Sequence, residues 1–219
     1  MDAMLSSSRR QPLVLTVPGL DGSDPSHWQS VWEREREDCA RADLGNWSRP
    51  DRNSWVSRLN IAIRGAGRPV VLAAHSLGCH AVAWWAALER PAYGDPVIGA
   101  LLVAPPDLDV APTDDRLAAF GPMPVAPLPF ASIVVASQDD PYVQHHRARR
   151  TAQFWGSHFE DAGPAGHLNA ESDLGDWRFG QALLEKLIGQ SAGPLPRRES
   201  GAPVHAITTG SSRPIDVSA

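Results

Sequence analysis

Four short, almost wholly apolar runs, at residues 13–17, 70–74, 97–103 and 132–136, constrain the fold of this chain more than any other feature. A strand with one face in water alternates apolar and polar side chains, whereas a strand covered on both faces reads as a continuous apolar run. The runs therefore predict central strands of a sheet enclosed by helices. Between them lie longer stretches with helical spacing, at residues 25–37, 51–64, 77–89, 145–155 and 176–188. In the second of these, Trp55, Leu59 and Ala62 recur on one face while Arg52, Ser57 and Arg64 can face water.

Strands alternating with helices are the pattern of βα units around a mostly parallel central sheet with helices on both faces, an α/β fold. A weaker strand pattern lies at residues 158–161, and residues 39–44 suit an edge strand. The 219 residues are enough for one full-sized domain and too few for two ordinary ones. Residues 1–11 are polar and serine-rich, and residues 190–219 carry Gly, Pro, Ser, Arg and Thr with no apolar period. A domain over residues 12–189 with a flexible tail at each end is expected. The proline-rich residues 105–129 follow a central strand and read either as a loop over a site or as a plain surface connection.

Composition narrows the function. A net charge of −5, with no Lys/Arg-rich block, argues against nucleic acid as a partner. Cys39 and Cys79 form neither a C-x-x-C pair nor a zinc spacing, which suits reduced thiols in a cytoplasmic protein. His145 and His146 are adjacent and cannot share a helix face, so no metal site is expected. No stretch approaches membrane-spanning length, and the first residues lack the apolar core of a signal peptide. The eight tryptophans are numerous for this length. Trp84 and Trp85 read as core, while Trp28, Trp32, Trp47 and Trp55 are candidates for an apolar pocket, with packing as the default for each.

The strongest local signal is Val70-Val71-Leu72-Ala73-Ala74-His75-Ser76-Leu77-Gly78, an apolar strand running through a tight turn into a helix. This is the strand-turn-helix arrangement that exposes a nucleophilic serine at the carboxyl end of a sheet. Small residues two before and two after the serine let neighbouring backbone come close; Ala74 and Gly78 meet that need, although the usual first glycine is here an alanine. The helix N-terminus beneath Ser76 places N–H groups and positive dipole where an oxyanion would develop. The amide of Leu77 is one candidate donor. Pro18-Gly19-Leu20-Asp21-Gly22, after the first strand, supplies a second, with Leu20 as the chosen residue.

A serine hydroxyl is a poor nucleophile at neutral pH, so a base must take its proton and a carboxylate should hold that base in the correct tautomer. The strand at 132–136 ends in Ser137-Gln138-Asp139-Asp140-Pro141-Tyr142. Asp140 is preferred over Asp139 because the following proline biases its backbone towards an extended conformation; either aspartate could instead cap the next helix. His167 lies in Gly163-Pro164-Ala165-Gly166-His167-Leu168-Asn169, where glycines let the loop bend towards the serine. His27, beside Trp28 near the proposed oxyanion loop, is with it a candidate for substrate contact, although packing at a helix start also accounts for it.

Taken together, Val17-Pro18-Gly19-Leu20 with Ser26-His27-Trp28-Gln29, then Ala74 to Gly78, Ser137 to Tyr142 and Ala165 to Asn169, resemble the small serine hydrolases of the YdeN and retinoblastoma-binding-protein type over residues 13–188. The resemblance implies a compact α/β-hydrolase fold without a large cap domain, a Ser76–Asp140–His167 triad, and no cofactor. It fixes chemistry better than substrate: attack on a small ester-like acyl compound is the leading expectation. The rival is a binding or scaffold protein on the same fold, since fold does not guarantee activity. Leu77-Gly78-Cys79-His80-Ala81 is the nearest match to an L-x-C-x-E interaction motif and lacks the final acid.

Overall fold

A computed structural model describes residues 11–109 and 114–191. The expected tails, apart from Gln11 and the last turn of a helix ending at Ser191, lie outside the described residues. Six strands, β1 (Leu13–Val17), β2 (Cys39–Arg41), β3 (Val70–His75), β4 (Val97–Val103), β5 (Ala131–Ala136) and β6 (His158–Asp161), form one sheet in the order β2-β1-β3-β4-β5-β6. Every neighbouring pair is parallel, so the sheet is wholly rather than mostly parallel. All carboxyl ends therefore share one edge. The strand order reverses between β1 and β3, the place beyond the carboxyl ends of an open α/β sheet where ligands bind in such folds.

The helices are α1 (Trp28–Glu35), α2 (Arg52–Gly65), α3 (Leu77–Glu89), α4 (His145–Trp155) and α5 (Arg178–Ser191). They divide between the two faces because side chains alternate along each strand. Leu72 and Ala74 of β3 point into a core shared with α2, α3 and α4, whereas Val71 and Ala73 point towards α1 and α5. Each fully buried Leu or Val in these strands contributes on the order of 1.5–3 kcal/mol.

Among the boundaries that differ from the sequence reading, three have a clear local reason. Helix α1 starts at Trp28 rather than Pro25 because Asp24 folds back to accept the Ser26 and His27 amides, leaving His27 as the N-cap. Helix α5 starts at Arg178 rather than Asp176 because Trp177 is left-handed, with φ 44°. The edge strand stops at Arg41; Ala42 gives one more backbone bond, to Thr16, before Ala42 and Leu44 turn into the core.

The described part of residues 105–129 forms no separate cap. It carries a 3-10 helix, Asp115–Phe120, whose Leu117 and Phe120 are buried against Trp55 and α3. The indole of Trp84 donates to the Phe120 carbonyl at 2.7 Å. No helix among the described residues is long and apolar enough to cross a membrane.

Candidate active site

Three strand ends bring the site together. Ser76 follows β3 directly, with φ 53° and ψ −126°, a conformation that L-residues seldom adopt. The turn is packed closely against the end of β1. A Cβ on Gly78 would stand 2.2 Å from the Val17 carbonyl oxygen, and one on Gly19 would stand 2.7 Å from Ser76 Cβ. Only glycine at these two places lets the end of β1 lie against the turn.

His167, on the loop after β6, directs Nε2 at Ser76 Oγ across 2.9 Å. Its Nδ1 lies 2.9 and 3.0 Å from the two oxygens of Asp140, on the loop after β5. A carboxylate only accepts, so Nδ1 carries the proton and Nε2 presents its lone pair to the serine hydroxyl. The Asp140 side chain is wholly buried and also accepts the Tyr142 amide at 2.9 Å. The Tyr142 ring lies tilted against the imidazole, with centroids 4.4 Å apart.

Asp139, the competing acid, faces elsewhere. It accepts the Ser137 hydroxyl at 2.7 Å and the Gly166 amide at 2.8 Å, and these bonds hold its carboxyl below the usual range. Nor does it cap a helix: the N-cap of α4 is Gln144, which makes no side-chain cap bond. Asp139 instead pins the histidine loop. Ser137 adds a second pin by accepting the Ala165 amide at 2.9 Å.

The turn expected to supply an oxyanion donor is closed by the Gly22 amide on the Gly19 carbonyl, and the Asp21 amide is taken by Trp47. The Leu20 and Leu77 amides have no protein acceptor among the described residues, so both remain available to a ligand. Arg116, on the 3-10 helix, reaches this turn. Its guanidinium donates to both oxygens of Asp21 at 2.9 and 3.1 Å, to the Ser48 carbonyl at 3.0 Å and to Asp114.

His27 and Trp28 do not line an opening as expected. They are 3% and 1% exposed, because Trp28 packs with Trp32 and Trp177 between α1 and α5. Trp28 instead backs the site, donating its indole N–H to the Leu168 carbonyl at 3.0 Å. Trp32 and Trp55 are likewise core, and Trp47 packs edge-on against Trp55. A groove of about 530 Å³ between Ile63, Arg64, Pro69 and Pro96 lies at the amino ends of the strands, away from Ser76, and we assign it no part in the chemistry. No group of His, Cys, Asp and Glu among the described residues is arranged to hold a metal ion.

Sequence reasoning passed over Ser137, Asp139 as a pin, and Arg116. Each acts through a bond to a residue 27 to 95 positions away, which leaves no local pattern to read.

Comparison with known proteins agrees with this architecture. The chain resembles a YdeN-like hydrolase of Pectobacterium atrosepticum at 32% identity, with a TM-score of 0.72 over 83% of this chain and 92% of that one. The ydeN gene product of Bacillus subtilis superposes with a TM-score of 0.64 at 19% identity, covering 81% and 99% of the two chains. Esterase 2 of Thermogutta terrifontis gives 0.59 at 18% identity, covering 86% of each. These last two likenesses concern the fold, which is that of the α/β-hydrolases. The comparison with curated proteins returns no match. A family model described as serine hydrolase matches residues 14–186, nearly the whole described domain, and the chain belongs to that family.

Proposed function

We propose that the protein hydrolyses small ester-like substrates through an acyl-enzyme on Ser76, with His167 as general base and Asp140 as its orienting acid. The observation that carries this reading is the unbroken hydrogen-bonded line from Ser76 Oγ through His167 to Asp140. Ser76 Oγ attacks the carbonyl carbon while its proton passes to His167 Nε2, and the carbonyl oxygen takes the negative charge. The Leu20 and Leu77 amides receive that charge. As the tetrahedral intermediate collapses, the bond to the leaving group breaks and the proton on Nε2 goes to the departing oxygen. Water then attacks the acyl-enzyme, His167 takes the water proton, and the acid leaves as Ser76 Oγ recovers a proton.

Asp140 fits its role because its side chain is removed from water and its second bond, from the Tyr142 amide, fixes the carboxylate plane. The buried negative charge favours the imidazolium that exists only while His167 holds the proton.

The test is turnover of p-nitrophenyl esters of two to eight acyl carbons by the full chain. Turnover of the short esters with a pre-steady-state burst of nitrophenol is expected, because acylation releases nitrophenol before water frees the enzyme. Absence of turnover across the series from folded protein would count against ester hydrolysis and favour a binding role for the same fold.

A further inference from the structure

His75 ends β3, immediately before Ser76, and the proposed reaction uses neither of its ring nitrogens. The side chain is buried, and its Nε2 lies 2.9 Å from the carbonyl oxygen of His167. A carbonyl only accepts, so Nε2 carries the ring proton. One hydrogen bond thus joins the residue beside the nucleophile to the backbone of the base, across 92 positions of sequence.

On its other side His75 meets His27 edge to face, with centroids 4.7 Å apart. Burial holds both rings neutral, His27 with its pKa lowered to about 4 and His75 well below the ordinary value. Neutrality matters here. The His75 and His167 ring centroids are 4.9 Å apart, and a charge on His75 would oppose the charge His167 gains from Ser76.

We infer that His75 is a positioning residue: by donating Nε2–H to the His167 carbonyl, it holds the base at the distance from Ser76 that proton transfer requires. The inference rests on the triad reading above. Trp28, Ser137 and Asp139 anchor the neighbouring residues Leu168, Ala165 and Gly166, whereas His75 grips the backbone of His167 itself. A general base must stay within hydrogen-bond reach of the proton it takes, and a misplacement of about 1 Å can cost on the order of 10²-fold in rate.

His75→Gln and His75→Asn separate positioning from packing. Glutamine places an amide N–H close to where Nε2 sits, while the asparagine amide falls near Nδ1 and short of the carbonyl. Inactivation by a fluorophosphonate and kcat and KM on a short p-nitrophenyl ester are measured per folded molecule, alongside Tm. The Gln variant is expected within about threefold of wild type, and the Asn variant about tenfold or more slower in kcat and labelling, with KM unchanged and Tm matching the Gln variant. Equal rates for the two variants overturn the inference and leave the triad reading standing. A wild-type protein that is neither labelled nor active overturns the triad reading, and this inference with it. Should a variant fail to fold, imidazole nitrogen-15 NMR of the wild type decides: His75 protonated on Nε2 is expected, and His75 protonated on Nδ1 alone overturns the inference.

Discussion

The carboxylate of Asp139 accepts the amide of Gly166 at 2.8 Å, and so fixes the residue that precedes His167. Asp139→Ala is expected to lower kcat about tenfold with a small change in KM, since the loop carrying the base loses an anchor while substrate contacts remain. The acid dependence follows from the depressed pKa of this group, caused first by the Ser137 hydroxyl and then by the Gly166 amide. Its contribution to stability is fully present above the ordinary carboxylate range and is lost only as pH falls through the lower folded-state value. Asp139→Asn should remove that part of the acid dependence; thermal denaturation between pH 5 and 2 checks it.

Three buried histidines make a larger pH effect of the same sign. Burial lowers His27 and His80 to about 4 and pushes His75 in the same direction, whereas in the unfolded chain each titrates near 6.5. Below that value the unfolded chain binds protons that the folded chain does not. The stability they contribute is fully present above about pH 6.5 and declines towards pH 4, by up to about 1.4 kcal/mol per pH unit for each group. Tm should fall across this window. His80→Gln, which can keep a donor for the Pro106 carbonyl bound at 2.8 Å, should flatten the fall. A Tm independent of pH from 6.5 to 4 would contradict the assignment.

Gly78→Ala should damage the fold and Gly19→Ala the chemistry. The first places a Cβ 2.2 Å and 2.7 Å from the Val17 and Pro18 carbonyl oxygens, both backbone and unable to swing away. A loss of about 1–3 kcal/mol or more in urea denaturation is expected. The second places a Cβ 2.7 Å from Ser76 Cβ and 3.0 Å from the His75 carbonyl oxygen, which must push the Leu20 turn outward. With Leu20 as the proposed oxyanion donor, its displacement is expected to cost on the order of 10²–10³ in kcat on a p-nitrophenyl ester, with most of the stability kept.

Arg116 ties the segment after β4 to that same turn through Asp21. Arg116→Ala should therefore lower kcat by less than loss of a donor does, about three- to tenfold, through a looser turn. Arg116→Lys should not restore it, because a single ammonium cannot grip both oxygens of Asp21 while also reaching Asp114 and the Ser48 carbonyl. Equal kcat for Arg116→Lys and wild type would show that only the charge matters.

The sheet and its central strands were legible because burial on both faces leaves a continuous apolar run, and β1, β3, β4 and β5 carry one each. Ser76, Asp140 and His167, which the structure brings into one hydrogen-bonded line, each follow a strand, Ser76 directly and the other two on loops, and the proline after Asp140 is the local feature that sets it apart from Asp139. The place of Trp28 was not legible. A tryptophan beside a candidate loop reads the same whether it faces out or in, and only the packing of Trp32 and Trp177 around it decides. The start of α5 was equally hidden, because the left-handed turn at Trp177 is made by a residue with no preference for it. The anchors of the histidine loop are side chain to backbone bonds between distant segments, and such bonds follow from the fold rather than from local order.

Mass mapping of a fluorophosphonate adduct on the full chain decides whether Ser76 is an activated nucleophile. A single adduct on Ser76 is expected, absent in Ser76→Ala, and slowed on the order of 10⁶-fold in His167→Ala and about 10⁴-fold in Asp140→Asn. An adduct on Ser76 that forms equally fast without His167, or no adduct on folded protein, would contradict the proposed mechanism and move a binding role ahead of hydrolysis.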